Sequence, residues 1–352
     1  MDITELLKKA ADMGASDIHI TVGVPFIFRI NGKLLPIGDR ILRPEDTRDI
    51  VKELTTDKQF NSLNRKGEID FSYSVPGLQR FRVNAYRQRS SYSVALRLIP
   101  FSIPSLEDLG LPPIIKDLTQ KSRGLILVTG PTGSGKSTTL ASMIDLINST
   151  RDRHIITIED PIEYLFQHKK SIVNQREIGS DTLSFANALR ASLRQDPDVI
   201  LIGEMRDQET IATALTAAET GHLVLSTLHT IGAAKTVDRV IDVFPPHQQQ
   251  QVRVQMSMAL QGVVSQQLLI KSGGDGRIVA VETMIMNVAV ANIIREGKLH
   301  QLNNVIQTNA SRGMKLMDDA LADLYRQSLI SRETALMYCI DQEYLKKNLN
   351  RS

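Results

Sequence analysis

The sequence predicts an α/β protein: a mostly parallel sheet that binds phosphate at one edge, preceded by a small α+β domain. Two observations carry this. Four short apolar runs, Leu125 to Thr129, Ile155 to Ile158, Val199 to Ile202 and Leu223 to Ser226, alternate with helical stretches, the pattern of parallel strands covered on both faces. Directly after the first run, Gly130-Pro-Thr-Gly-Ser-Gly135-Lys136-Ser137 fits the phosphate-loop pattern G-x-x-x-x-G-K-[ST], expected by chance about once in a hundred chains this long.

The elements of the first domain follow in order. Ile3, Leu6, Leu7 and Ala10 recur at helical spacing behind Asp2, with Glu5 as capping-box partner and Gly14 as a stop, so a helix is expected over 2–13. Phe26 to Ile30 and Lys33 to Ile37 flank Asn31-Gly32, a dipeptide that favours a type I′ hairpin because both turn residues need positive φ. A helix from Pro44 to about Leu63 and alternating strands at Glu68 to Val75, Leu78 to Gln88 and Tyr92 to Ile99 complete it, with a turn signal at Pro76-Gly77.

Prolines 100, 104, 112 and 113 with few periodic apolar positions read as a linker. The domain plan is therefore 1–100 for the α+β domain, 101–113 for the linker, 114–287 for the nucleotide-binding domain and 288–352 for a helical C-terminal segment. A Gly-rich turn at Gly273 to Gly276 and a strand at Ile278 to Met284 precede that segment.

Composition excludes several classes. The 352 residues are 42% hydrophobic and 23% charged, which is globular. No apolar run approaches the ~20 residues of a membrane span, and the start lacks the basic-then-apolar order of a secretory signal, so a cytoplasmic location is expected. One cysteine, Cys339, excludes an internal disulfide and a multi-cysteine zinc site. A net charge of +3, no Trp and 5% aromatics give no basic surface or stacking platform for nucleic acid. His222 and His229 with Cys339 make a poor metal set, since seven residues on an extended segment put the histidines on opposite faces.

The chemistry gathers at the phosphate loop. Gly130, Pro131, Thr132, Gly133, Ser134 and Gly135 let backbone N–H groups wrap the phosphates, Lys136 neutralises β/γ charge, Ser137 ligates Mg²⁺, and Thr138 opens the following helix. Three polar clusters follow other strands at the edge where open α/β sheets bind ligands. Glu159, Asp160 and Glu163 offer a carboxylate to orient or deprotonate water. Glu204, in Gly203-Glu204-Met-Arg-Asp207, ends an apolar strand as a Walker B acid does, holding Mg²⁺ directly or through water; Thr227 and His229 are placed to sense the γ-phosphate. Singly, a carboxylate after a strand is as often a helix cap, and a lone His more often structural; four such placements on one sheet make that joint reading weak. The expected cofactors are ATP and Mg²⁺.

These motifs resemble the secretion ATPases of the type II/type IV pilus superfamily, and most closely the PilT family of pilus retraction ATPases. Gly14-Ala-Ser-Asp-Ile-His19 is similar to the family's opening signature, Gly130 to Thr138 to its Walker A, Thr157 to Tyr164 to its acidic box, Ile202 to Asp207 to its Walker B, and Gly221 to Thr230 to its histidine box. The resemblance covers nearly the whole chain. It implies a PAS-like N-terminal domain, a RecA-like ATPase domain and a homohexamer at the cytoplasmic base of the pilus machine, peripherally associated with the inner face of the cytoplasmic membrane. It further implies an inner-membrane platform protein and other pilus ATPases as partners, Glu163 as the catalytic carboxylate and Glu204 as the acid on the Mg²⁺ side. The chain lacks the further N-terminal domain and tetracysteine zinc element usual in extension and type II secretion ATPases, which favours retraction. It departs from the family's A-I-R-N-L-I-R-E motif at Ala289-Val-Ala291-Asn-Ile-Ile-Arg295-Glu296, where Ala291 replaces an arginine.

Arg80, Arg82, Arg87, Arg89 and Arg97 give the small domain a dense guanidinium surface. Arg82 and Arg97 are the residues expected to complete hydrolysis in a neighbouring subunit, against the plain alternative of a solvated sheet face. Arg295 is expected to serve coupling rather than chemistry. Three rival readings remain: an extension or type II secretion ATPase, a RecA-like nucleic-acid translocase, and a nucleotide-gated scaffold with negligible turnover.

Overall fold

The computed structural model describes residues 2–30, 32–75, 78–99, 102–274 and 276–349. Asn31 of the expected hairpin turn, the Pro76-Gly77 turn, Pro100 of the expected linker and Asp275 of the Gly-rich turn lie outside the described residues. The chain divides into two compact units, one of Met1–Ser102 with Glu163–Leu165 and one of Ile103–Ile162 with Phe166–Ser352.

In the first unit, α1 (Ile3–Asp12), β1 (Asp17–Ile20), β2 (Phe26–Ile30), β3 (Lys33–Ile37), α2 (Pro44–Leu54), α3 (Asp57–Lys66), β4 (Glu68–Val75), β5 (Gln79–Gln88) and β6 (Ser91–Ile99) form an antiparallel sheet in the order β3-β2-β1-β6-β5-β4 with three helices. Period-two alternation sets the faces: Phe81, Val83 and Ala85 are buried in the core with Leu6, Leu7 and Phe28, while Arg82 between them is exposed. Asp2 sits at the N-cap of α1 without capping it, and no capping box with Glu5 forms. Its carboxyl instead bonds that of Glu53, whose pKa is raised by burial and by Asp2. The single helix expected over 44–63 is two helices. Thr56 stops the first from continuing by accepting from Gln59 N while Gln59 Oε1 accepts from Thr56 N, which caps α3.

The second unit contains α4 (Ile114–Thr119), β7 (Gly124–Thr129), α5 (Lys136–Thr150), β8 (His154–Glu159), β9 (Ile172–Glu177), α6 (Phe185–Ser192), β10 (Val199–Ile202), α7 (Gln208–Glu219), β11 (Leu223–Leu228), α8 (Ala233–Asp242), α9 (Pro246–Ala259), β12 (Leu260–Ile270), β13 (Arg277–Ile285), α10 (Val288–Glu296), α11 (Leu302–Thr308), α12 (Met317–Arg326), α13 (Arg332–Tyr338) and α14 (Gln342–Leu349). Its sheet runs β13-β12-β7-β11-β10-β8-β9, parallel except for the edge strand β13. Both faces are covered, which explains the unbroken apolar runs. Leu125 and Leu127 pack against α6 to α10, while Ile126 and Val128 pack against α4 and α5.

Three strands, β1 in the first unit and β9 and β12 in the second, were not expected. Part of the proline-rich stretch is packed rather than extended: Leu106 and Leu111 are buried in this unit's core, and Pro104 O accepts a hydrogen bond from Ser142. Among the described residues no helix is long and apolar enough to cross a membrane.

Candidate functional site

The parallel order β7-β11-β10-β8 brings the C-terminal ends of four strands to one edge. The phosphate loop joins β7 to α5. Gly130, Gly133 and Gly135 all adopt positive φ, and Gly135 occupies the N-cap of α5. At Gly130 glycine is required twice over, because a Cβ would fall 2.2 Å from Gln266 O on β12 and 2.6 Å from Ser134 Oγ. Lys136 is buried to 8% exposure, with Nζ donating to Gly130 O and Pro131 O at 2.9 Å each. Thr132 and Gly133 are exposed, and Ser137 and Thr138 are half-buried at the start of α5. Ser134 Oγ is buried with no hydrogen-bond partner among the described residues.

On the next strand but one, Glu204 follows β10 directly after Gly203. Its Oε1 lies 2.7 Å from Arg206 Nε and its Oε2 lies 3.4 Å from His229 Nε2, with the Glu204 side chain only 15% exposed. His229 follows β11, so two neighbouring strand ends converge on one acid. Arg206, which spacing alone did not single out, is the second side chain on Glu204. Asp207 in the same run is a helix cap: it accepts from Thr210 N at 2.8 Å and Thr210 Oγ1 at 2.7 Å and so starts α7. The hydroxyls of Ser226 and Thr227 donate to Ile202 O and Gly203 O at 2.8 and 2.6 Å, tying β11 to β10 at their ends.

After β8 the acids separate by environment. Glu159 is buried and accepts from Thr157 Oγ1 at 2.6 Å and Gln175 Nε2 at 3.2 Å, so it belongs to the sheet. Glu163, four residues past the strand, is exposed. Glu177 accepts from Ile162 N at 3.1 Å and holds the intervening turn; nothing in its sequence context marked it. Arg295 is exposed near the end of α10, 3.4 Å from Asn292 Oδ1, and Ala291 is half-buried one turn earlier.

In the first unit, one cross-strand row reads Ser72, Arg82, Arg97, Asp17 and Arg29 across β4, β5, β6, β1 and β2. Arg97 Nε donates to Asp17 Oδ1 at 2.9 Å, and Arg29 Nε lies 3.9 Å from its other oxygen. Burial raises the Asp17 pKa, but hydrogen bonds from Arg97 and Ser16 and the charges of Arg97 and His19 outweigh it and hold the carboxyl below its ordinary value. Of the two expected arginines, Arg97 thus has an acidic partner within its own sheet.

Comparison with known proteins agrees with this geometry. A family model described as type II/IV secretion system protein matches residues 1–273. The chain is 50% identical over 335 residues to the type IV pilus retraction ATPase PilT of Pseudomonas aeruginosa, covering 95% of this chain and 97% of that protein. It is 42% identical over 338 residues to the type IV pilus ATPase PilU of the same organism, covering 96% and 88%. A crystal structure of the pilus retraction motor PilT with bound ADP matches with a TM-score of 0.93 at 50% identity, covering 99% of both chains. With the phosphate loop, the strand-end acids and this likeness over nearly its whole length, the chain belongs to the type II/IV secretion system protein family and, within it, to the PilT family of nucleotide-binding pilus retraction ATPases.

Proposed function

We propose that the chain works as a homohexameric, Mg²⁺-dependent ATPase whose turnover drives type IV pilus retraction, and hence twitching motility, at the cytoplasmic base of the pilus machine. A platform protein in the inner membrane would receive the force, with other pilus ATPases as further partners. The observation that supports this most is the meeting of the glycine cradle, Lys136, Glu204 and His229 along one sheet edge. Within the chain, we assign 1–100 as the PAS-like domain, 101–113 as the linker, 114–287 as the RecA-like ATPase domain and 288–352 as the C-terminal helical segment.

The residues fit a polyphosphate. Backbone N–H groups at the α5 N-terminus suit phosphate oxygens, and the orphaned Ser134 hydroxyl is a donor that such an oxygen would satisfy. Lys136 would exchange its two carbonyl acceptors for β/γ oxygens. Ser137 and Glu204 supply oxygen donors of the kind Mg²⁺ takes, and the ion, when bound, would neutralise charge on the transferring group. Glu163 would orient or deprotonate the attacking water, and His229 would report the γ-phosphate to Glu204. Arg82 or Arg97 would reach the phosphate of a neighbouring subunit, and Arg295 would serve coupling.

The test pairs two variants of the full chain. Lys136→Ala should abolish turnover, because phosphoryl transfer depends on electrostatic positioning at the β/γ oxygens. Glu163→Gln should keep ATP binding and lose hydrolysis by about 10² or more. Near-wild-type turnover in Lys136→Ala would sink the assignment. In cells, deletion should leave excess, non-retracting pili, whereas bald cells would assign the chain to extension.

A further inference from the structure

Glu282 is an acid buried in an apolar strand, far along the chain from the phosphate loop and the strand-end acids. It lies on β13 with 3% exposure, in the run Arg277-Ile-Val-Ala-Val-Glu-Thr-Met-Ile285. Its Oε1 accepts from Ala233 N at 2.5 Å and its Oε2 from Met317 N at 3.0 Å, the first residues of α8 and α12. Burial raises its pKa, opposed by these two N–H groups and reinforced by Asp318 and Asp319. A carboxylate kept out of water at such cost is not needed merely to fill space, since an apolar side chain of similar volume would do that at least as well. Both N–H donors point at oxygens, as the partial positive charge of two helix N-termini requires.

What these helices carry gives the acid its significance. Ala233 comes four residues after His229. Gly232, between them, donates its N–H to Ser265 Oγ at 2.9 Å, and Ser265 is the cross-strand partner of Glu282. Gly232 has a φ of +90°, and a Cβ there would lie 3.4 Å from Ile340 Cδ1 and 3.7 Å from Glu282 Oε1. On the far side, Asp318, next to Met317, accepts from Ile340 N and Asp341 N at 2.8 Å each, at the start of α14. The turn that bears His229 is thus joined through one carboxylate to the C-terminal helices.

We propose that Glu282 is a positioning residue for the nucleotide site: by holding the N-termini of α8 and α12 on its two oxygens, it fixes the 230–232 turn and so the place of His229 beside Glu204. This rests on the ATPase reading of that site. Displacement of His229 on nucleotide turnover would then pull α8 and, through Glu282, α12 and the helices behind it.

The experiment is a double-mutant cycle on the full chain, reading kcat and KM for MgATP. Glu282→Gln keeps the shape but must turn an NH₂ toward one of the two N–H groups, so it can hold only one helix. Expected are a fall in kcat of about tenfold, KM within about threefold of wild type, and a cost of no more than about twofold when His229 is already Ala. An equal fall in both backgrounds, or wild-type kcat with only a lowered melting temperature, would overturn the proposal, because a purely structural acid does not act through His229. Ser265→Ala, which removes the acceptor for Gly232 N, goes through the same cycle and decides the matter if Glu282→Gln does not fold. Amide hydrogen exchange over 229–236 and 315–320 gives a reading independent of turnover: Glu282→Gln, which must release one of the two helix starts, should speed exchange in at least one segment, and protection unchanged in both overturns the link. Lys136→Ala run alongside separates the two failures, since near-wild-type turnover there condemns the ATPase reading itself.

Discussion

His229 Nε2 lies 3.4 Å from Glu204 Oε2, so the ends of two adjacent parallel strands, β11 and β10, meet through a side-chain contact beside the phosphate loop. The other oxygen of Glu204 is taken by Arg206. An acid flanked by two such partners is held in one orientation, and a change in either should be felt as altered metal affinity rather than as lost fold.

The first prediction follows from that arrangement. Glu204→Gln should raise the Mg²⁺ concentration for half-maximal turnover by about tenfold or more, and Arg206→Ala and His229→Ala should shift it by smaller factors. A Mg²⁺ titration of ATPase rate checks it. Three variants with the wild-type midpoint would remove Glu204 from the metal side of the site.

A second prediction separates the two arginines. Arg82 is exposed on β5 and faces Arg97 across the pair β5 and β6, while Arg97 donates to Asp17. Arg82→Ala should therefore cost more in kcat than Arg97→Ala, at least about tenfold, with up to ~10³ available to an arginine supplied to a phosphate. Assembly is verified by mass measurement, and wild-type protein is then mixed with Lys136→Ala protein. Activity that declines only in proportion to the inactive fraction, together with full activity of Arg82→Ala, would mean that subunits fire independently.

The third concerns Gly130. Its Cβ would strike the Gln266 carbonyl at 2.2 Å, a backbone atom that cannot swing away, whereas a Cβ at Gly133 meets nothing within 4 Å. Gly130→Ala should destabilise by about 1–3 kcal/mol beyond Gly133→Ala and weaken nucleotide binding further. Thermal melting of both variants with and without nucleotide decides it, and a reversed order of stabilities would refute the packing argument.

A fourth prediction uses the Asp17 carboxyl, whose folded-state pKa lies below its ordinary value of 3.8. A lowered pKa means that the ionised form is favoured on folding, so its contribution is present above 3.8 and is lost as pH falls through the lower folded value. The stability gap between wild type and Asp17→Asn should be constant near neutrality and close below about pH 4. Denaturant titrations from pH 7 to 2.5 measure the gap. A gap that widens on acidification would show the sign to be wrong.

The sequence made the strands around the site legible where both faces are apolar. Leu125 to Val128 and Val199 to Ile202 have no polar residue to interrupt them, since helices cover both sides. It hid β12, because Ser265, Gln266 and Gln267 are buried polar residues whose bonds to Gly232 N, Thr139 Oγ1 and Tyr338 O exist only in the folded chain. It hid β9 because an edge strand with exposed Ile172 and Asn174 lacks the apolar run of its neighbours. The break between α2 and α3 was written in Thr56 and Gln59, a capping pair inside an otherwise helical pattern. At the site, Glu204 and His229 were readable from their places after strands. Arg206 and Glu282 were not, because their meaning depends on contacts between segments distant in sequence or on a turn whose direction spacing does not reveal.

The two hydroxyl bonds from Ser226 and Thr227 to the carbonyls at the end of β10 have a mechanical consequence. With Met205 N also donating to Thr227 O, the loops that bear Glu204 and His229 are clamped together at their roots. A displacement of one strand end is therefore passed to the other, so the loops that bear the acid and the imidazole share their roots while His229 still depends on the turn that follows it.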